Sequence, residues 1–473
     1  MKSLPEWKGA PPPGRAFHGG YPCEWSKHAS GVGIADTSSN VLEGNSLGTL
    51  LRSVKIGCMG DVADVIVAGG GVIGVCTAYY LAKLGRSVIL VERDQIGSGC
   101  SYGNAGLITP SHAMPIPAPG VIKQACKWML HEDSPLLFRP RLDWQLLPWL
   151  IRFVGQCREE AVNRAIPVLR DLSRASLGLF EDLIAADGLE FHYERRGLLS
   201  VYTTEQGFEK GKHEAEMLAK HGFEPKILDR TQTRELEPTL RDCVIGGVYY
   251  EEDAHGDCHQ FVAEMSEVIR KLGVEVRTSN KVSRIVPNAK GHVKFLTERG
   301  ECFGKALVLA TGSWTAQLAK DLGVRIPLQP GKGYSVTLDR PPVSPKIPVM
   351  NAARKVIVTP LGDRLRFAGT MEFAGFDLTL NERRANAVLR GGLEIITQSG
   401  SLQNIEQWCG LRPCTPDGLP IIGRIPAYPQ IYVSTGHAML GYTLGPITGK
   451  LVAEMVAGCP LSVDTSALRI ERF

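Results

Sequence analysis

A short β-branched run that empties into three consecutive glycines constrains this chain more than any other stretch. Asp64-Val-Ile-Val-Ala68 has the makeup of a strand buried on both faces. Gly69-Gly-Gly-Val-Ile-Gly74 follows at once. A helix is predicted from about Val72 to Leu84 with Gly85 as its stop. A second strand, Ser87 to Glu92, closes a βαβ unit. Gly69 permits the tight turn, Gly71 lets backbone approach a pyrophosphate, and Gly74 lets the helix pack on the strand. The helix N-terminus, where Ile73 stands, offers free N–H groups and a positive dipole end to phosphates. Glu92 lies eighteen positions past Gly74, placed to accept hydrogen bonds from ribose hydroxyls. Its charge disfavours a 2′-phosphate and so argues against NADP. Arg93 beside it joins the candidate cofactor contacts. An isolated glycine turn needs no ligand, but here strand, helix, second strand and terminal acid are in register. The spacing does not choose between NAD and FAD.

Size and charge remove several function classes. The 473 residues suggest two or three domains, with 44% hydrophobic and 22% charged residues, ordinary globular values. A net charge of +4 without long Lys/Arg runs gives a nucleic-acid partner no support. No run of about 18 uncharged apolar residues suggests a transmembrane helix. The 12 cysteines form no CxxC pair or repeated spacing, so neither zinc nor a disulfide framework is expected. They read as small buried hydrophobes of a reducing compartment. Residues 1–60 form an irregular extension, Pro- and Gly-rich, without a signal-peptide or transit-peptide layout. The preferred reading is a start-site artefact with Met59 as the natural start. A disordered tail or an extension of another role is the alternative.

Beyond Glu92 the chain enters a stretch of small polar residues whose backbone suits phosphate and ribityl oxygens. With Ser101-Tyr-Gly-Asn-Ala-Gly106, Pro110 and Ala118-Pro-Gly120, the sequence resembles the D-amino-acid-oxidase-like FAD family, within it the D-amino-acid dehydrogenase small-subunit type. Gly256-Asp-Cys258, Leu309-Ala-Thr-Gly312, Lys332-Gly-Tyr-Ser335 and Arg366-Phe-Ala-Gly-Thr370 continue the resemblance. Gly410-Leu-Arg-Pro-Cys-Thr-Pro-Asp-Gly418, Thr435-Gly-His437 and Gly441-Tyr-Thr443 complete it, in family order over roughly residues 60 to 460. The resemblance implies FAD, with Ser101, Asn104, Ala105 and Gly106 among its contacts. It also implies that backbone at Val282 faces the adenine, and that Gly441, Tyr442 and Thr443 sit by the pyrimidine edge. Gly312, at the end of a buried strand Ala306–Ala310, would allow close approach of the cofactor, with a plain tight turn as the alternative.

Oxidising an amino acid needs a carboxylate clamp, an unprotonated amine and Cα–H aimed at flavin N5. Arg412 matches the family's carboxylate-binding arginine, and a guanidinium fork suits a carboxylate. A surface salt bridge is its alternative reading. Tyr334 is the candidate second donor, with a strand tyrosine at the domain border an equal alternative. His437 is a candidate for tuning the flavin or taking the amine proton, although a histidine satisfied by loop backbone explains it more simply. Cys409 and Cys414 match no clear attachment position, so the FAD is expected to be non-covalent. Residues 121 to 157 combine Trp128, Trp144 and Trp149 with Lys and Arg, a pattern of membrane-surface helices. Core packing explains the same pattern more simply.

The expected fold is α/β: a Rossmann-like FAD-binding domain assembled from 61–113, 254–325 and 404–473. A discontinuous α+β substrate domain, 114–253 and 326–403, would contribute a mainly antiparallel sheet. The expected activity is oxidative deamination of a small D-amino acid, D-proline or D-hydroxyproline among the candidates. Electrons would pass to a quinone or another acceptor, in a cytoplasmic protein that is peripheral on the inner membrane face if it touches a membrane at all. An oxygen-using glycine or sarcosine oxidase and a non-catalytic flavin relay subunit are the alternatives. No metal is expected.

Overall fold

Two large sheets divide the polypeptide between them. The computed structural model describes residues 62–128, 134–139, 143–287, 293–398 and 401–473. The N-terminal extension falls outside the described residues. So do the side chain of Trp128 and part of the Trp-rich region.

The first sheet has eight strands, with Ala63–Ala68 at its centre. Gly300–Leu309 and Val88–Val91 flank it in parallel, and Glu275–Arg277 and Tyr428–Thr435 extend the parallel core outward. Ala68 pairs with Leu309 and Val91, and Leu309 with Val433, so the carboxyl ends of these strands line up along one edge. Such an edge is where open α/β sheets bind ligands. Both faces are buried, as the unbroken apolar runs require. Val65, Val67 and Leu90 share one core, and Ile66, Ile89 and Leu307 share another. The helix predicted from about Val72 to Leu84 is Val72–Lys83, and a helix Gly445–Ala457 follows the C-terminal glycine loop. The two pack so closely that a Cβ on Gly449 would come within 2.5 Å of the Cys76 backbone. Strand Gly300–Leu309 starts earlier than its apolar half suggests, because that first part pairs antiparallel with Val293–Thr297.

Among the described residues the second sheet has nine strands and is mainly antiparallel, with parallel pairings of Val349–Asn351 with Leu198–Tyr202 and of Leu136–Phe138 with Arg364–Phe373. Strand Gln329–Asp339, next to the edge of this sheet, pairs with Arg364–Phe373 on one side and with the edge strand Glu406–Cys414 on the other. The segment 404–473 is therefore shared: 406–414 lies in the second sheet, while Ile421–Ile425 and Tyr428–Thr435 lie in the first. The long helix Glu159–Asp187 ends at Gly188 in the left-handed conformation, φ 66°. Helix Glu382–Leu393 is capped at its start by Asn381, whose side chain accepts the Arg384 N–H.

The Trp-rich region is partly core and partly exposed. Trp149 is buried, stacks on Phe153, and donates its indole N–H to the Cys414 carbonyl at 3.0 Å. On the opposite face of helix Leu146–Gln156, Leu147 and Ile151 are each 65% exposed, and Trp144 just before it is 93% exposed. Among the described residues no helix is long and apolar enough to cross a membrane.

Candidate active site

One cavity of about 1340 Å³ runs from the carboxyl edge of the first sheet to the face of the second. The glycine turn forms its floor. Gly69 has φ 107°, a conformation that favours glycine, and a Cβ there would lie 2.5 Å from the Ala310 carbonyl oxygen. A Cβ on Gly74 would lie 1.8 Å from the Gly69 carbonyl oxygen, so this glycine serves helix–strand packing and does not line the cavity. Gly71 differs from both. A Cβ there would meet protein only at Ser101 Oγ, 3.5 Å away, and the residue borders the cavity with Ile73. The space kept clear at Gly71 is thus space for a ligand. Ser101 Oγ accepts the Val72 N–H at 3.0 Å and so takes one of the helix's unpaired N-terminal donors.

Glu92 stands at the cavity wall. Its carboxylate accepts the N–H of Gly70 at 2.7 Å and of Asp94 at 2.9 Å, one on each oxygen. A carboxylate has about four acceptor positions, so capacity remains for ribose hydroxyls. Arg93 lays its guanidinium on the Trp314 ring at 3.8 Å, and both line the cavity with Val282 and Gly312. Trp314 carried no sequence signal. On the far side, Asn104, Ala105, Gly441 and Tyr442 also line the cavity. Asn104 Oδ1 accepts the Gly106 N–H at 2.9 Å, closing a small Asx turn. Arg366 holds this turn from the second sheet, donating to the Asn104 carbonyl at 2.8 Å while pairing with Asp257 at 3.4 Å.

Two expected cofactor contacts take supporting places instead. Gly106 does not line the cavity; its carbonyl accepts the Gly256 N–H at 2.8 Å. Thr443 is buried behind it, its hydroxyl donating to the Leu107 carbonyl and accepting the Thr109 N–H, each at 3.2 Å. These contacts clip the Leu107–Ile108 strand to the C-terminal loop.

Arg412 lines the cavity from strand Glu406–Cys414. Its Nη1 donates to the Thr370 carbonyl, 2.6 Å away. No carboxylate pairs with it among the described residues. Burial lowers its pKa, although an arginine stays charged. The surface-salt-bridge reading does not hold. The carbonyl reaches Arg412 because the register of the second sheet slips by one residue between Lys332 and Tyr334. Thr370, in that bulge, has φ 57°. Bulges re-aim groups beside functional sites in this way.

Tyr334 is not part of this site. Gly331 and Gly333 face Arg412 and Gly410 across the strands, so strand alternation sends Tyr334 to the other face. There it is 1% exposed and its hydroxyl donates to Glu372 at 2.7 Å, beside Arg384 and Arg139. It belongs to a buried charged cluster behind the sheet.

His437 does border the cavity, with a ring nitrogen 3.1 Å from the Thr448 hydroxyl. Burial holds its pKa down to about 3, so the ring is neutral and a weak base near neutrality. His112 also borders the cavity, and burial, with a smaller contribution from Lys355, brings it to about 4. Its Nδ1, Thr370 Oγ1, Ser434 Oγ and the Tyr442 hydroxyl are buried without partners among the described residues. Unpaired buried polar atoms cost free energy unless a ligand meets them. A long dinucleotide with a polar ring system and a second small polar ligand fit this lining.

The chain is similar to known proteins along most of its length. Residues 64–455 match the family described as FAD dependent oxidoreductase, DAO. A D-amino acid dehydrogenase of Vibrio atlanticus is 34% identical over 418 residues, spanning 87% of this chain and 100% of that protein. A D-amino acid dehydrogenase of Paramagnetospirillum magneticum is 35% identical over 419 residues, 86% of this chain and 98% of the other. Among solved structures, glycine oxidase from Geobacillus kaustophilus is similar in fold, with a TM-score of 0.71 at 23% identity, covering 87% of this chain and 99% of that one.

Proposed function

The chain belongs to the DAO family of FAD-dependent oxidoreductases, and on that premise we propose that it oxidatively deaminates a small D-amino acid. Relatives that match nearly end to end carry the name D-amino acid dehydrogenase, which supports the reaction and the substrate's hand. The observation that carries the reading is Arg412, a cavity-facing guanidinium fixed by the Thr370 carbonyl and unpaired with any described carboxylate. It binds the substrate carboxylate and turns Cα toward the cofactor. FAD, when bound, would supply the two-electron acceptor for the Cα–H. Gly71, Ile73 and Glu92 would hold its pyrophosphate and ribose, Val282 its adenine, and Gly312, Asn104, Ala105, Gly441 and Tyr442 the remainder. The first sheet serves the cofactor and the second the substrate.

The neutral amine is the form that reacts, because His437 and His112 are both too weakly basic to take an ammonium proton near neutrality. Water then hydrolyses the imine to a 2-oxo acid and ammonia; a cyclic substrate such as D-proline or D-hydroxyproline stops at the cyclic imine. The cofactor is held without a covalent bond. Cys409 and Cys414 do not line the cavity, and burial raises the Cys414 thiol to about 12. Electrons leave to a quinone or similar acceptor. The exposed apolar face of Leu147 and Ile151, with Trp144, supports peripheral contact with the membrane that holds such an acceptor.

Arg412→Ala tests the assignment. The variant should lose about a hundredfold or more in kcat/KM for D-alanine. It should also lose the wild type's preference for the amino acid over its amide. Unchanged turnover would sink the reading in favour of a relay subunit, which needs no carboxylate clamp.

A further inference from the structure

Beyond Arg412 and the residues assigned to the cofactor, the same cavity is lined by helix Glu205–Lys220 and by residues of the loop 352–355. Its wall carries Lys355, which stands immediately before strand Val356–Leu361. Lys355 is exposed where it borders the cavity, and its side chain forms no hydrogen bond or ion pair with any described residue. Its backbone has φ 52°, a conformation that a long side chain rarely adopts.

Lys355 is also tied to the substrate clamp by position. Val356 pairs with Gly369, which puts Lys355 beside Thr370, the residue whose carbonyl holds Arg412. Two non-glycine residues of positive φ thus sit side by side at one end of the strand pair. Both line the cavity, and strain held at such a place points to function. His112, with Nδ1 unpartnered, faces the same cavity. Glu214 and Lys210 lie on the opposite wall, where they pair with each other at 3.7 Å.

We propose that Lys355 forms a second anion subsite that selects D-amino acids whose side chain ends in a carboxylate. The inference rests on the reading above and narrows its substrate class. Arg412 takes the α-carboxylate, and the Lys355 ammonium meets the distal carboxylate across Thr370. His112 Nδ1 provides a further polar contact. The Lys355 ammonium borders the cavity without an ion-pair partner among the described residues, so it is available for a charge-assisted hydrogen bond to a substrate carboxylate.

The test compares D-glutamate with D-glutamine, nearly equal in shape, in wild type, Lys355→Met and Lys355→Glu. Methionine keeps an unbranched side chain at the same backbone conformation, and flavin absorbance with thermal stability confirms that each variant is folded. Wild type should prefer D-glutamate in kcat/KM, and Lys355→Met should lower the D-glutamate/D-glutamine ratio about ten- to hundredfold. Lys355→Glu should turn the preference toward D-ornithine. A wild-type ratio below one, or a ratio that moves less than about threefold in Lys355→Met, overturns the proposal. If D-alanine and D-proline reduce the flavin while the ratio stays fixed, only the subsite fails. If no D-amino acid reduces it, the underlying reading fails too.

Discussion

The Arg412 guanidinium occupies the space that a side chain on Gly333 would need: a Cβ there would come within 2.3 Å of Cζ and of Nη1. The glycine in the Lys332-Gly-Tyr-Ser335 stretch is therefore a seat for the arginine of the neighbouring strand. Gly333→Ala should push Arg412 away from the Thr370 carbonyl. We expect kcat/KM for D-alanine to fall about a hundredfold, the scale of a misplacement near 1 Å, with FAD binding retained. A variant of wild-type efficiency would show that Arg412 is not held by this contact.

Two glycines of the opening turn should respond differently to the same methyl group. Gly74→Ala forces a Cβ to within 1.8 Å of the Gly69 carbonyl and should impair folding with or without FAD. Gly71→Ala meets only Ser101 Oγ at 3.5 Å, so the apoprotein should keep its stability while FAD affinity falls. Denaturation of both apoproteins together with FAD titration separates the cases. Equal apoprotein destabilisation in the two variants would contradict the assignment of Gly71 to ligand space.

Tyr334 offers a test of strand parity. Tyr334→Phe removes a buried hydrogen bond to Glu372 and should destabilise the fold by about 1–3 kcal/mol. The KM for a D-amino acid should stay near that of wild type, because the hydroxyl lies on the face away from Arg412. A rise in KM of tenfold or more without loss of stability would return Tyr334 to the substrate site.

Acid should weaken the fold through its buried histidines. Burial holds His112 and His255 down to about 4 and His437 to about 3, against a usual value of 6.5. The unfolded chain therefore binds more protons below pH 6.5. Stability is complete above that value and is lost as pH falls through 6.5 toward 4. Asp253, raised by burial to about 8, acts in the opposite direction, but it is one group against three. Denaturant unfolding should show stability falling by on the order of 2 kcal/mol per unit between pH 6 and 5. A flat profile would mean that these rings are charged in the fold or readily solvated.

Local signals were the legible ones. The strand, glycine turn and helix at Ala63–Lys83 follow from spacing, because the turn's sterics involve neighbours in the chain and one adjacent strand. Glu92 was legible because it ends the next strand. Which face Tyr334 takes was not, since a strand's parity is set by its partners: Tyr334 sits opposite Cys409, 75 positions on. Nor was the capture of 406–414 by the second sheet, for the same reason. Arg366 and Asp257 lie 109 residues apart, and only the assembled fold makes them neighbours around the Asn104 turn. Lys355 and Trp314 were silent because a lone lysine or tryptophan gains its meaning from the cavity it borders. Gly106 and Thr443 sit within family-like motifs, yet their contacts are with protein, which no motif distinguishes from contact with cofactor.

The most direct test of the whole account is anaerobic reduction of the purified yellow holoprotein. It is mixed in turn with D-amino acids, their L-enantiomers and N-methyl glycine, and flavin absorbance is followed before and after oxygen is admitted. The account predicts bleaching by D-amino acids, little by L-enantiomers, slow recovery in oxygen and rapid recovery with a quinone. The Arg412→Ala protein should bleach far more slowly. Bleaching by none of these amines, or equal bleaching of wild type and Arg412→Ala, would contradict it.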